Sequence, residues 1–226
     1  MNDLWLKKIK EIELPFEQDY EFCSFLGTKA TIKKWQIDGL PIDQFSTENG
    51  VCITKGDRWA LNIDPQTQAN SWIKNTYGKS LKILDINDKK LIQKMMQYVT
   101  KGNCVLLQDV AEDLDPSLDN LLNKSLVKSG NEWLVKIGEN EIPYSNKFQL
   151  FITTRMSNPH YTPEVSTKVN VVNFSIKEQG LEEQCLGIVV QEEQPALEAN
   201  KNALVDKIEN GQNTLKQLED EILTKL

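Results

Sequence analysis

The sequence predicts an α/β fold, a parallel sheet with helices on both of its faces. Three observations carry that prediction. Short apolar runs bounded by turn formers recur along the chain, as strands buried on both faces must read. Segments of helical period alternate with them, the mark of strand–helix–strand units. And 226 residues with 39% hydrophobic and 26% charged side chains can bury one good-sized core.

Leu4, Trp5, Ile9, Ile12 and Leu14 fall among lysines and glutamates, and Phe22, Phe25 and Leu26 follow beyond Pro15. Residues 1–40 therefore read as a helical lead-in without a chemical motif. Residues 38–43 read as a turn with Pro41 at the bend, and the turn formers of 46–50 are expected to precede a strand at 51–54. Buried strands are then expected at 59–64, 81–86, 104–109, 148–154 and 168–174. Between them, Trp72, Ile73 and Tyr77 sit at helical spacing, and residues 89–99 carry Leu91, Ile92, Met95, Met96 and Val99 on one side. Leu114, Leu118, Leu121, Leu122 and Leu126 predict a further amphipathic helix over 114–126. Residues 133–137 and 141–144 flank Gly138 as a small hairpin. The α/β domain is thus expected to span 41–190.

Residues 191–226 change character. Leu197, Leu204, Ile208, Gly211, Leu215, Leu218 and Ile222 step by seven, four, three, four, three and four, the heptad rhythm of a coiled-coil seam. A surface helix packed on the domain is the other arrangement that fits. The narrow seam and polar flanks favour a coiled coil or helical hairpin. Such a helix needs a partner that these residues do not supply, so the chain is expected to dimerise or to be a piece of a longer one.

The formal charge is −7, from 26 Lys+Arg against 33 Asp+Glu, and eight acidic and four basic residues place −4 of it in residues 191–226. That balance argues against a nucleic-acid surface or a basic membrane-binding face. No apolar run reaches half the length needed to span a bilayer. Cys23, Cys52, Cys104 and Cys185 lie 29, 52 and 81 residues apart, with neither a CxxC pair nor a His cluster. A zinc ribbon or knuckle is excluded, and without a signal peptide the reducing interior of a cell is the expected home.

In an α/β protein, ligands bind at the carboxyl ends of the strands. After the strand at 59–64 runs Asp64-Pro65-Gln66-Thr67-Gln68-Ala69-Asn70-Ser71, which has the length and placement of the phosphate-cradling loop G-x-x-x-x-G-K-[ST] and keeps its final hydroxyl. The other key residues are changed. Asp64 and Ala69 replace the two glycines and Asn70 the lysine. A carboxylate at the mouth repels phosphate, and Pro65 removes one backbone donor. With charge-assisted bonds at roughly 1.5–3 kcal/mol each, several kcal/mol of phosphate binding would be lost. Read alone, the segment is an ordinary strand-to-helix turn.

Asp109 ends the third buried strand where a Walker B acid would hold Mg²⁺, but Val110 follows in place of the usual Glu. A strand-end acid capping the next turn is the other reading. Thr153 and Thr154 end the fourth strand, as sensors of a γ-phosphate or as hydroxyls bonding the backbone. Of the two arginines, Arg58 and Arg155, the second directly follows that strand, which suits either a trans-acting arginine finger or a surface or interface ion pair. His160 has no nucleophile context near it, so a catalytic triad is not expected.

Several strings then combine: Gly39-Leu40-Pro41, Phe45-Ser46-Thr47-Glu48-Asn49-Gly50, Arg58-Trp59, Ile63-Asp64-Pro65-Gln66-Thr67-Gln68-Ala69, Leu114-Asp115-Pro116-Ser117-Leu118, Thr153-Thr154-Arg155, Asn158-Pro159-His160-Tyr161-Thr162-Pro163-Glu164-Val165 and Leu186-Gly187-Ile188-Val189-Val190. In this order they resemble dynein heavy chains, at the fifth AAA+ module of the motor ring, and the likeness covers essentially the whole chain. The Asp-Pro-Gln loop and residues 158–165 look more axonemal than cytoplasmic.

The resemblance implies a P-loop NTPase-like AAA+ large subdomain at 41–190 with a degenerate nucleotide loop. It also implies a lead-in that follows the microtubule-binding stalk, and a tail that is the outgoing helix of the buttress, or strut, bracing that stalk, cut short before the return helix. No cofactor is expected in this module, ATP and Mg²⁺ belonging to other modules. The implied partners are neighbouring AAA+ modules, the stalk, the dynein complex and, through the stalk, microtubules, in the cytoskeleton of a cilium axoneme. The implied role is to couple ATP-driven ring movements to the stalk in minus-end-directed motility and cilium movement. A stand-alone P-loop NTPase, which Asn70 opposes, and a coiled-coil adaptor are the rival readings.

Overall fold

A computed structural model describes residues 2–12, 22–130 and 132–196, and within the tail residues 200, 203, 204, 207, 210, 211, 214, 215, 217, 218, 221 and 222. The lead-in is helical, with α1 at Asn2–Glu11, α2 at Phe22–Leu26 and α3 at Lys29–Ile37. Helix α4, Gln44–Lys55, follows, and it contains residues 51–54, for which the sequence predicts a strand. Asp43 decides the matter. Its Oδ1 accepts from the Ser46 N–H at 2.8 Å and caps a helix whose first turns run through the supposed turn formers. Gly50 is tolerated within that helix because Trp35 and Leu40 lie against its Cα, each 3.1 Å from where a Cβ would stand.

The order then runs β1 (Ala60–Ile63), α5 (Gln68–Tyr77), β2 (Leu81–Asp85), α6 (Leu91–Lys101) and β3 (Cys104–Gln108). A 3-10 turn at Pro116–Leu118 leads into α7 (Asp119–Leu122), β4 (Leu126–Ser129), β5 (Glu132–Ile137), β6 (Asn140–Pro143), β7 (Gln149–Thr154), α8 (Pro163–Lys168), β8 (Asn170–Asn173) and α9 (Glu178–Glu193). The long helix predicted over 114–126 is therefore only one short helix and its lead-in turn. Lys124 adopts φ +51, which ends it, and Leu126 is drawn into a strand opposite Val135. The apolar period there is real, since Leu118, Leu121 and Leu122 are all buried.

Strands β2, β3, β7, β1 and β8 form, in that order, one parallel five-stranded sheet. Its two faces are dressed by alternate residues. Leu61, Val105, Leu107, Leu150 and Ile152 point to one layer, where Met95 and Val99 of α6 and Leu121 of α7 meet them. Ala60, Leu106, Phe151 and Val172 point to the other, against Trp35, Val51, Trp72 and Ile73 of α3, α4 and α5. Both faces are covered, as a parallel sheet requires. β4, β5 and β6 make a separate antiparallel sheet that adds β4 to the predicted hairpin, and Val135 and Ile137 press it onto the first layer.

The C-terminus of α6 turns at Gly102, φ +69, packed so closely on Ser145 that a Cβ would stand 3.1 Å from the serine Cβ. No helix among the described residues is long and apolar enough to cross a membrane. Helix α9 ends at Glu193, Gln194 leaves the helical conformation, and the described positions from 200 onward are helical. Leu204, Leu215, Leu218 and Ile222 are all more than half exposed there, while Leu197 and Ile208 lie outside the described residues.

Candidate functional site

Because β7 lies between β3 and β1, the carboxyl ends of these three strands form one continuous edge. Onto it the fold brings Asp64 from β1, Asp109 from β3, and Thr153, Thr154 and Arg155 from β7. The register fixes their neighbours. Thr153 stands beside Asn62 and Thr154 beside Ile63. Asp64 continues the ladder by donating its N–H to the Thr154 carbonyl at 2.8 Å, and Val110 donates to the Thr153 carbonyl at 3.1 Å.

The loop from Asp64 to Ser71 closes on itself. Thr67 takes φ +60 and donates its N–H to the Asp64 carbonyl at 3.2 Å. This tight turn aims the first N–H groups of α5 back at the strand end. The Asp64 carboxylate, 1% exposed, receives them: Oδ1 accepts from the Gln68 N–H and Oδ2 from the Asn70 N–H, each at 2.8 Å. Helix N-termini favour anions, and here the anion is the chain's own. Burial pushes the Asp64 carboxyl above its ordinary value, while the N–H groups of Asn70, Gln68 and Ala69 pull the other way. Ala69 and Asn70 are buried in the helix, Pro65 and Gln66 form its approach, and the Ser71 hydroxyl donates to the Thr67 carbonyl at 2.8 Å.

At the other end of the edge, Asp109 adopts φ +57 and is held by both arms of Arg155, Nε to Oδ1 at 2.5 Å and Nη2 to Oδ2 at 2.6 Å. The pairing holds the Arg155 guanidinium above its ordinary range, with Asp85 a smaller cause in the same direction. Thr153 and Thr154 are buried, and Thr154 Oγ1 accepts from the Met156 N–H at 3.3 Å. Next to Asp109, Glu112 accepts the His160 N–H at 2.9 Å and ties down the loop after β7.

Two further residues belong to this edge. The Gln68 side chain donates to Gln184 Oε1 at 3.2 Å, and Gln184 Nε2 donates to Asp43 Oδ2 at 3.0 Å. Asp43, Gln184 and Gln68 thus join the start of α4, helix α9 and the loop, beside a cavity of ≈ 230 Å³. Asp43 had a visible signal, an acid three residues before Ser46 in the manner of a helix cap. Gln184 had none. Among the described residues, no group of three or more His, Cys, Asp or Glu could hold a metal ion.

The profile of the family described as the ATP-binding dynein motor region matches residues 33–226. Dynein axonemal heavy chain 2 of Mus musculus is 47% identical over 227 residues, which is 100% of this chain and 5% of that protein. The Homo sapiens protein of the same name is 48% identical over the same length. The dynein-1-beta heavy chain of the flagellar inner arm I1 complex of Chlamydomonas reinhardtii is 46% identical over 221 residues, 97% of this chain and 5% of that protein. The chain spans about 5% of the length of the curated relatives it matches.

Proposed function

This chain belongs to the dynein heavy chain family, whose ATP-binding motor region it carries, and we propose that within a microtubule motor it is the fifth AAA+ module, one that does not hydrolyse ATP. It passes ring movements, driven by hydrolysis at other modules, to the microtubule-binding stalk. One observation carries the reading: the Asp64 carboxylate already occupies the N–H groups of Gln68 and Asn70, where a phosphate would be cradled. Three others support it. Asn70 stands in place of the phosphate-binding lysine, Arg155 holds both oxygens of Asp109, and the Ser71 hydroxyl is turned onto its own helix. The residues present do not fit a nucleotide triphosphate with its Mg²⁺, and no catalytic step is assigned to them.

The mechanical role rests on rigidity and an outgoing element. Both faces of the sheet are packed, so the module moves as one body. Residues 191–226 are the outgoing helix of the buttress, and the exposure of Leu204, Leu215, Leu218 and Ile222 is what a helix awaiting a partner presents. Residues 1–40 follow the stalk, and 41–190 are the large subdomain. The axonemal and flagellar names of the relatives support a place in a cilium, with the remaining modules, the stalk and microtubules as partners.

Titration calorimetry with Mg·ATP tests the first part, with no saturable binding expected at micromolar concentrations. Low-micromolar binding would remove the basis of the reading. For the second, deletion of residues 197–226 from a complete motor is expected to uncouple microtubule affinity from nucleotide state. Intact coupling would exclude the buttress role.

A further inference from the structure

A second cavity opens at the opposite end of the sheet, where β1 and β7 begin. It measures ≈ 240 Å³, and its lining includes Arg58, Tyr77, Lys124, Tyr144, Asn146 and Gln149 but no Asp or Glu. In a chain of formal charge −7, a cleft that gathers two cations without a carboxylate is unusual. We propose that this cleft binds an oxyanion, a carboxylate or a phosphate, through Arg58 and Lys124.

Both cations are held in place without being neutralised. Arg58 Nη1 donates to the carbonyls of Thr167 at 3.2 Å and Ser166 at 3.5 Å, which fixes the guanidinium and leaves its other N–H groups available. Lys124 Nζ donates to the Asp57 carbonyl and sits 4.4 Å from the centre of the Trp59 ring. Neither forms an ion pair among the described residues, whereas Arg155, the other arginine, is taken by Asp109. Lys124 also keeps φ +51, a conformation that disfavours lysine, while its ammonium is directed toward this cleft.

The tyrosine hydroxyls and the side-chain amides of the lining can also donate, while the Thr54 hydroxyl is spent on the Gly50 carbonyl at 2.8 Å. Burial pushes the Tyr77 phenol up to about 12, with Cys104 adding to the shift, and burial raises Tyr144 as well, so both hydroxyls keep their protons at neutral pH. Gln149 Oε1 accepts from Cys104 Sγ at 3.1 Å, leaving its amide N–H groups to donate. The walls are stiff. Trp59 and Tyr144 pack edge-on against Phe148, with ring centres 5.7 and 6.3 Å apart. Fixed donors against an apolar wall bind an anion more strongly than mobile surface lysines do, because little reorganisation is needed.

The test uses the 226-residue chain at low ionic strength, titrated separately with inorganic phosphate and with a short glutamate-bearing peptide. Calorimetry and amide NMR are the readouts. Saturable binding of at least one is expected, with shifts at the side-chain N–H groups of Asn146, Gln149 and Trp59. Preference for phosphate identifies a free anion as the ligand, and preference for the peptide identifies an acidic side chain of a protein. Arg58→Gln and Lys124→Asn should each weaken binding by about tenfold or more, and Lys89→Gln should not. Because Arg58 also anchors residues 166 and 167, Lys124→Asn is the cleaner variant: asparagine accepts the positive φ and preserves the fold. Failure of both ligands to bind saturably, or full binding by Lys124→Asn, overturns the proposal.

Discussion

Arg155 grips Asp109 with two parallel hydrogen bonds, so the acid at the end of β3 is closed off by the residue that follows β7. The pair is partly exposed, with the Arg155 side chain 66% accessible, and such pairs add little to folding. Arg155→Ala should leave the urea midpoint essentially unchanged. Asp109→Val should lower stability by about 1–2 kcal/mol, because a β-branched residue is forced into positive φ. An equal loss in both variants would show that the ion pair, not the backbone, dominates this corner.

Asp64→Ala strips the acceptor from two N–H groups at the start of α5. A loss of about 2–4 kcal/mol is expected in chemical denaturation. A loss below a few tenths would mean that water replaces the carboxylate freely.

The pH dependence of the same residue has a definite sign. Burial raises the Asp64 pKa above the ordinary 3.8. Its titration therefore contributes stability that is complete below that value and disappears as pH rises through the folded-state pKa. The stability of the wild type relative to Asp64→Asn should fall across that window when urea unfolding is repeated at successive pH values. A rise would place the folded pKa below the unfolded one.

Gly102→Ala should cost about 1–3 kcal/mol, since φ +69 is strained for alanine and the new methyl meets the Ser145 Cβ. Thermal unfolding of Gly102→Ala and of Gly102→Ala with Ser145→Gly separates the causes. The double variant should recover only the part due to Ser145, leaving the positive φ and the contact with Lys147 Cβ, 3.1 Å away.

Gln184 links Asp43 to Gln68 and holds α9 to the body. Gln184→Ala should speed amide hydrogen exchange along α9, and Gln184→Glu more so, by setting a second carboxylate against buried Asp43. Unchanged exchange in both would show that α9 is held by other contacts.

The five strands of the main sheet are readable in the sequence to within two residues at most boundaries, because a strand buried on both faces has no polar side to disguise it. The failures have local causes. Val51, Cys52, Ile53 and Thr54 look like a strand by composition, but a capped helix reaches them from Asp43 and buries Val51 and Ile53 against α3 and α5. The leucines of 114–126 keep a helical period although Lys124 breaks the helix, because two successive turns and a strand end happen to face one core. β4 escapes notice since only Leu126 of its four residues reaches the core. At the candidate site, the sequence locates the loop and marks Asp64 as hostile to phosphate. That this carboxylate bonds the loop's own N–H groups depends on the αL turn at Thr67, which no local pattern announces. The link from Gln184 to Asp43 spans 141 residues and is visible only once the sheet has folded.

The self-bonded loop also has a kinetic meaning. The Asp64 carboxylate is a covalently tethered ligand, so it need not diffuse to its site and its local concentration does not vary with the cell's energy charge. A free phosphate must displace this tethered carboxylate and bring its own charge to the same place. On the proposed function, a loop built this way stays occupied, and its occupancy carries no information about fuel. Under the same proposal, the timing of the module comes from the surfaces it shares with neighbouring modules.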